Sequence, residues 1–266
     1  MVGLALGLTG GGGSLFAVPL LIYLIGVDAR SATTISLAAV SAMAAAGAVE
    51  AGYKKMIEWR ASLIFILGGI TCAPLGVKIA SFMGDQGLLL GFAALMYVIS
   101  LSMLYRTHVK PEQASVVRSN YQGGAGDVGA ICQVNDDQQI RLSAPCGVVL
   151  VLTGSVTGVL AGLFGVGGGF IIVPALTFIT LLNIHRAVAS SLFIISLIGI
   201  SGLIAAFMQG RPVDIPITGL FVTGGLVGML GGRLIAGRIS SPRLQTVFAV
   251  LILLVASITL YNTVYQ

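Results

Sequence analysis

Ionisable side chains are scarce in this sequence: 14 basic and 9 acidic residues among 266, or 9% charged. A soluble domain carries about 25%, so the shortage excludes a fold solvated on every side. There are two histidines, and the three cysteines, Cys72, Cys132 and Cys146, stand at no metal-ligand spacing. That inventory points away from a metal or other cofactor, and an odd cysteine count argues against a full disulfide framework. A phosphate-cradling G-x4-G-K-[S/T] sequence is missing, which excludes a nucleotide-driven pump within the chain. No basic stripe interleaved with aromatics is present, so nucleic acid is set aside as a partner. The first apolar run has no basic stretch before it, so no cleavable signal peptide is evident. An intramembrane enzyme would need reactive groups at matched spacing. Only Cys72 and Cys146 fall inside apolar runs, without a base, and the chain reads as a non-enzyme.

Apolar length is what the chain has instead. Hydrophobic residues make up 56%, and the mean hydropathy is +1.02. Apolar runs reach about 20 residues, enough to cross the hydrocarbon of a bilayer. The reading is an all-α polytopic membrane protein of the cell membrane, with lipid around it and about eight membrane segments. They run from Met1 to Ile25, Ser31 to Val49, Ala61 to Met83 and Leu88 to Tyr105, then Pro145 to Leu182, Ala187 to Met208, Ile215 to Ala236 and Pro242 to Tyr261. Trp59, the only tryptophan, and Tyr53 suit a membrane-interface belt beside the polar loop Glu50 to Arg60. Arg106 to Ser143 is polar and reads as a water-exposed linker, either disordered or turned into a hairpin at Asn135-Asp136-Asp137 between Ile131 and Ile140. This divides the chain into a first membrane unit at 1–105, a linker at 106–144 and a second unit at 145–266. With eight crossings, basic residues split eight to six between the two sides, which places the linker in the cytoplasm by the positive-inside rule.

Two stretches repeat one another. GLTGGGGSLFAVP runs from Gly7 to Pro19, and GLFGVGGGFIIVP from Gly162 to Pro174. Each packs four glycines into five residues: Gly10, Gly11, Gly12 and Gly13 in one, Gly165, Gly167, Gly168 and Gly169 in the other. Glycine costs about 1 kcal/mol against alanine in a helix interior, so both predict broken helices. The second stretch demands a break on length alone. Pro145 to Leu182 would make a helix of about 57 Å, against a hydrocarbon core of about 30 Å. It either crosses as two half-helices or dips in and returns. Subtracting 155 also maps Ala187 to Ala32, Ser191-Leu192 to Ser36-Leu37, Gly202 to Gly47, Gly231 to Gly76 and Arg233 to Lys78. One register across so many positions reads as two tandem four-segment repeats with glycine-broken helices. Four crossings per unit would make the copies parallel, and three would make them inverted.

The doubled glycine element, the A-x-x-x-S-L element (Ala32 to Leu37, Ala187 to Leu192) and the linker between the halves resemble the TauE/SafE sulfite exporter family, also called the 4-toluenesulfonate uptake permease family. The resemblance covers nearly the whole chain outside the linker. It implies a cell-membrane transporter of small anions, often sulfur-containing, such as sulfite, sulfonates or sulfoacetate. One departure stands out: some 17 apolar residues precede the second glycine motif and six precede the first. Either the first half-helix is short or the chain starts upstream of Met1.

The residues themselves suit an anion. Successive amides in a glycine-rich turn form an anion-binding nest, and a helix starting after it adds its dipole. Ser14 offers a hydroxyl in the first copy; Thr33, Thr34, Ser36, Ser190 and Ser191 offer more from the next segment. The alternative for these glycines is close helix packing alone. Lys78 and Arg233 are either attracting cations near the path or side chains that snorkel to the interface. Glu50 is the candidate proton-coupling carboxylate, although its counterpart is Ala205. Arg30 and Arg186 read as topological or gating charges, and His108 and His185 as loop residues. The function expected is alternating access by a secondary transporter, with an anion channel as the alternative and a homo-oligomer compatible with either.

Overall fold

The computed structural model describes residues 12–109, 132–134, 140–141, 144–180, 184–210, 214–236 and 241–265. Gly10, Gly11 and most of the linker lie outside that set. A 3-10 turn at Gly12–Phe16 leads into α1 (Ala17–Leu20) and a π turn at Leu21–Ile25. Then come α2 (Ala29–Tyr53), α3 (Trp59–Phe82) and α4 (Asp85–Val109). After the linker follow α5 (Ala144–Phe164), α6 (Gly169–Thr180), α7 (Ile184–Met208), α8 (Ile215–Ala236) and α9 (Ser241–Tyr265). The linker carries a two-stranded hairpin, β1 (Gln133–Val134) and β2 (Ile140–Arg141), pairing Gln133 with Arg141 and Val134 with Ile140. The expected all-α membrane architecture holds, with that small hairpin added. Among the described residues five helices are long and apolar enough to cross a membrane, where the sequence suggested about eight. The shorter apolar stretches are Ser14–Ile25, Ile215–Met229 and Ala249–Thr263.

Local chemistry sets the helix ends. Gly26, at φ 77°, stops the π turn in a left-handed conformation. Two residues on, Asp28 caps α2, its carboxylate accepting from the Ser31 N–H at 3.0 Å. Pro74 lies inside α3 and removes the N–H that would bond the carbonyl four residues back. That carbonyl, Ile70 O, instead accepts from the Ser201 hydroxyl of α7 at 3.1 Å. A hydroxyl from a neighbouring helix is a recurring way to satisfy such a group in lipid.

Contacts along the helices give their directions. A Cβ built on Gly154, Gly158 or Gly162 of α5 would meet Phe65 O, Gly69 O or Ala73 O of α3 at 2.1–2.3 Å. Both series ascend together, so α3 and α5 run parallel, backbone against backbone. Gly202 of α7 faces Leu37 of α2, Gly199 faces Ser41, and Ala189 clusters with Ala51. One series rises as the other falls, so α2 and α7 are antiparallel. α4 and α9 are antiparallel too, joined by the Ser100 hydroxyl donating to Ala249 O and by Tyr97 Oη against Ser257 Oγ, both at 2.7 Å.

The long apolar stretch breaks between Phe164 and Gly169, where the glycines fall. It turns back rather than continuing. Gly168 lies beside Thr157 of α5, and α6 ends where α5 began. There the Cys132 N–H donates to Ile179 O at 3.2 Å, and Cys132 is disulfide-bonded to Cys146. Eleven residues separate Thr157 from Cys146 and Gly168 from Ile179 alike, about 16 Å of helix in each arm. The disulfide was not foreseen: one cysteine pair is joined, and Cys72 is left free.

Candidate functional site

The second glycine turn sits between the two halves of the chain. Gly165, Gly167 and Gly168 have φ of +68°, +68° and +69°, a region that residues with a Cβ enter only under strain. Space excludes a side chain as well. A Cβ at Gly165 would lie 2.3 Å from Thr33 O, and one at Gly167 would lie 2.9 Å from Val40 Cγ1 and 3.0 Å from Ile195 Cγ2. The turn is therefore clasped by α2 from the first half and α7 from the second, and Gly165 through Gly169 are buried.

Its hydrogen bonds run out in the middle. The Gly165 N–H donates to Ala161 O at 2.9 Å, and the N–H groups of Ile171 and Ile172 donate to Gly168 O at 3.0 and 3.1 Å. Between them, the amides of Val166, Gly167 and Gly168 donate to no backbone carbonyl outside the helices among the described residues. A buried N–H without an acceptor is uncommon. Successive ones in left-handed glycines make a concavity suited to an anion, and α6 begins directly after it at Gly169. In this conformation the turn is packed shut. A small crevice opens beside it, lined by Val18, Leu88, Phe92, Phe164 and the single polar side chain of Thr33.

Most of the other expected site residues lie on α2 and α7, at different levels along them. The Ser36 hydroxyl donates to Gly165 O at 2.8 Å and ties α2 to the turn. Thr33 and Thr34 are buried, but both hydroxyls donate to Arg30 O, at 2.7 and 3.0 Å. Ser191 is buried and donates to Val188 O at 2.8 Å. These hydroxyl protons are engaged with backbone, so the donors the turn can offer are its own amides. Ser14 is buried within the 3-10 turn, and α6 packs against that turn. Gly12 and Gly13 belong to it; Gly10 and Gly11 lie outside the described residues.

Ser190 has a different neighbour. It is buried in α7 and its hydroxyl oxygen accepts the N–H of Glu58 at 2.9 Å. Glu58 is buried too, 6% exposed, with Oε2 3.8 Å from an Arg186 guanidinium nitrogen. Sequence reasoning left Glu58 inside a polar loop. Its place before Trp59 and an apolar run marks a helix N-terminus, but only the packing of α7 over that loop buries it.

The charges singled out from sequence lie further off. Glu50 sits near the end of α2, paired with Lys54 at 2.7 Å and with a side chain 42% exposed. Lys78 is exposed, one turn from the end of α3. Arg233 lies in α8, its side chain outside the described set. Arg30 pairs with Asp85 at 3.3 Å and donates to Met83 O at 3.0 Å.

Comparison with known proteins agrees with this membrane-embedded arrangement. The family described as "Sulfite exporter TauE/SafE" matches residues 1–259. A "Probable membrane transporter protein" of Xylella fastidiosa (strain 9a5c) is 36% identical over 270 residues, covering 99% of this chain and 92% of that one. The "Probable membrane transporter protein YunE" of Bacillus subtilis (strain 168) is 24% identical over 215 residues, covering 80% and 74%. No solved structure matches.

Proposed function

The chain belongs to the sulfite exporter TauE/SafE family, and from that premise we propose that it is a secondary transporter of a small, sulfur-containing anion in the cell membrane. The observation that carries the reading is the buried Gly165–Gly168 turn, whose middle amides donate to no loop carbonyl among the described residues while α2 and α7 close over it. Amides bind a sulfite or sulfonate oxygen without a permanent positive charge, so release stays accessible.

The closed packing favours alternating access over a channel. An anion reaches the turn when the helices over it part on one side, and leaves when they part on the other. The two halves, 1–105 and 145–266, are the bodies that move. Their equivalent helices α2 and α7 run antiparallel, which supports inverted copies of one unit, a common plan for transporters that bind at the repeat interface. Each unit would contribute a half-helix and three crossings, α2 to α4 in the first and α7 to α9 in the second, with α5 ahead of the second.

The test is sulfite counterflow in proteoliposomes. The wild-type protein is expected to saturate and to exchange labelled for unlabelled sulfite. Gly167→Val is expected to insert but lose that exchange, because it places a branched side chain at φ +68° against Val40. Exchange unchanged in Gly167→Val would overturn the turn as the binding site. Conductance without counterflow would identify the anion channel instead.

A further inference from the structure

We infer that Glu58 is a proton-binding site, and that its protonation releases the two halves of the chain from one another at one end of the molecule. The inference rests on the transport reading above and supplies its coupling ion.

Glu58 is the one charged residue in the buried set among the described residues. It begins α3 in the first half, and its contacts lie in the second: Oε2 is 3.8 Å from Arg186, and its N–H donates to Ser190 Oγ at 2.9 Å. A buried carboxylate opposite a guanidinium holds two bodies together as long as it stays charged. A proton on the carboxyl removes that attraction and creates an O–H that needs an acceptor. Ser62 follows one turn on, its N–H donating to Glu58 O at 3.1 Å. Its hydroxyl is fully buried and has no hydrogen-bond partner. A buried hydroxyl left unpartnered is costly in a resting structure and useful to a neighbour that changes its protonation.

The Arg30–Asp85 pair marks the difference. Both of its residues belong to the first half, and their side chains are 45% and 54% exposed, against 27% and 8% for Arg186 and Glu58. Water screens the first pair, and breaking it frees neither half. Near Glu58 along the chain stand Tyr53, Lys55 and Arg60, and at the start of α7 stands His185; Glu50 at the end of α2 pairs with Lys54 just past it.

Trp59 is the only tryptophan, follows Glu58 directly, and packs edge-on against Phe193 of α7 at 5.1 Å. Its emission therefore reports on this contact between the halves. The experiment is a pH titration of Trp59 fluorescence on the full chain in nanodiscs, with no anion added. A one-proton transition is expected in the wild type and in His185→Asn, and its absence is expected in Glu58→Gln. A transition that persists in Glu58→Gln, or that disappears in His185→Asn, would overturn the assignment. In proteoliposomes a pH gradient is expected to accelerate wild-type sulfite flux by about tenfold, within the usual range of coupling between sites. In Glu58→Gln that acceleration is expected to vanish while exchange at matched pH persists. Loss of exchange at matched pH in both Glu58→Gln and Glu58→Asp assigns Glu58 a structural role and overturns the proposal. A wild type without sulfite flux but with the Trp59 transition intact counts against sulfite as cargo and leaves the proton site standing.

Discussion

α3 and α8 are related by an offset of 155 in sequence and carry the same pair of glycines: Gly69 and Gly76 on one, Gly224 and Gly231 on the other. In α3 the stripe is covered. A Cβ on Gly76 would lie 2.1 Å from Val159 O of α5, and one on Gly69 would strike Ile198 of α7 at 2.1 Å. In α8 a Cβ on Gly224 or Gly231 would meet nothing within 4 Å among the described residues. Gly225 is closely met, by Met43 of α2. The difference is α5. Its own stripe of Gly154, Gly158 and Gly162 lies along α3, and the same offset carries Gly158 and Gly162 to Gly3 and Gly7, outside the described residues. A small residue in a membrane helix is needed only as closely as another backbone approaches it. Among the described residues the stripe is thus covered in α3 and open in α8.

Three substitutions probe that contrast. The largest effect is expected for Gly158→Leu, where the new side chain meets the α3 backbone 2.3 Å away at Gly69 O. Overpacking on that scale costs about 3 kcal/mol, read as a fall in melting temperature or loss of folded protein in detergent. Ser201→Ala comes next. It leaves the Ile70 carbonyl, freed by Pro74, without its hydroxyl, and a loss of about 1 kcal/mol is expected by the same melt. The smallest effect belongs to Gly231→Leu, expected to stay within about 0.5 kcal/mol of the wild type. A penalty there as large as that of Gly158→Leu would mean that a further helix covers α8 and that the contrast between α3 and α8 is false.

Much of the architecture was legible because glycine and apolar length are local signals. The 38-residue stretch from Pro145 to Leu182 had to break, and Gly165 to Gly169 was where it could. That α6 folds back along α5 depends on Gly168 nesting against Thr157, a contact between side chain and backbone that no periodicity encodes. The linker reads from sequence as either a disordered connector or a hairpin, and the paired strands Gln133–Val134 and Ile140–Arg141 answer to the second, while Asn135-Asp136-Asp137 lie outside the described residues. Of the eight expected segments, five are long enough to cross among the described residues, while Ser14–Ile25, Ile215–Met229 and Ala249–Thr263 are shorter apolar stretches there. At the site, Ser36 reaches the glycine turn and Ser190 lies at the other end of α2, against Glu58, a division that the sequence does not announce. A sequence names a donor; only packing tells which carbonyl takes its proton. Glu58 escaped notice for a related reason, since the helix that buries it lies 126 residues or more away in sequence.

The cystine between Cys132 and Cys146 bears on which way up the molecule stands. Two sulfurs stay joined in the periplasm or outside the cell, whereas the cytosol keeps thiols reduced. If that cystine forms in the cell, the end of the bundle that holds the start of α5 would face outward, opposite to the sidedness suggested by the eight-to-six split of basic residues. α3 runs alongside α5 in the same direction, so Glu58 and Arg186 share that outer end. On the proton-site proposal, a proton driven inward by the membrane's own battery would meet this acid before it met the glycine turn.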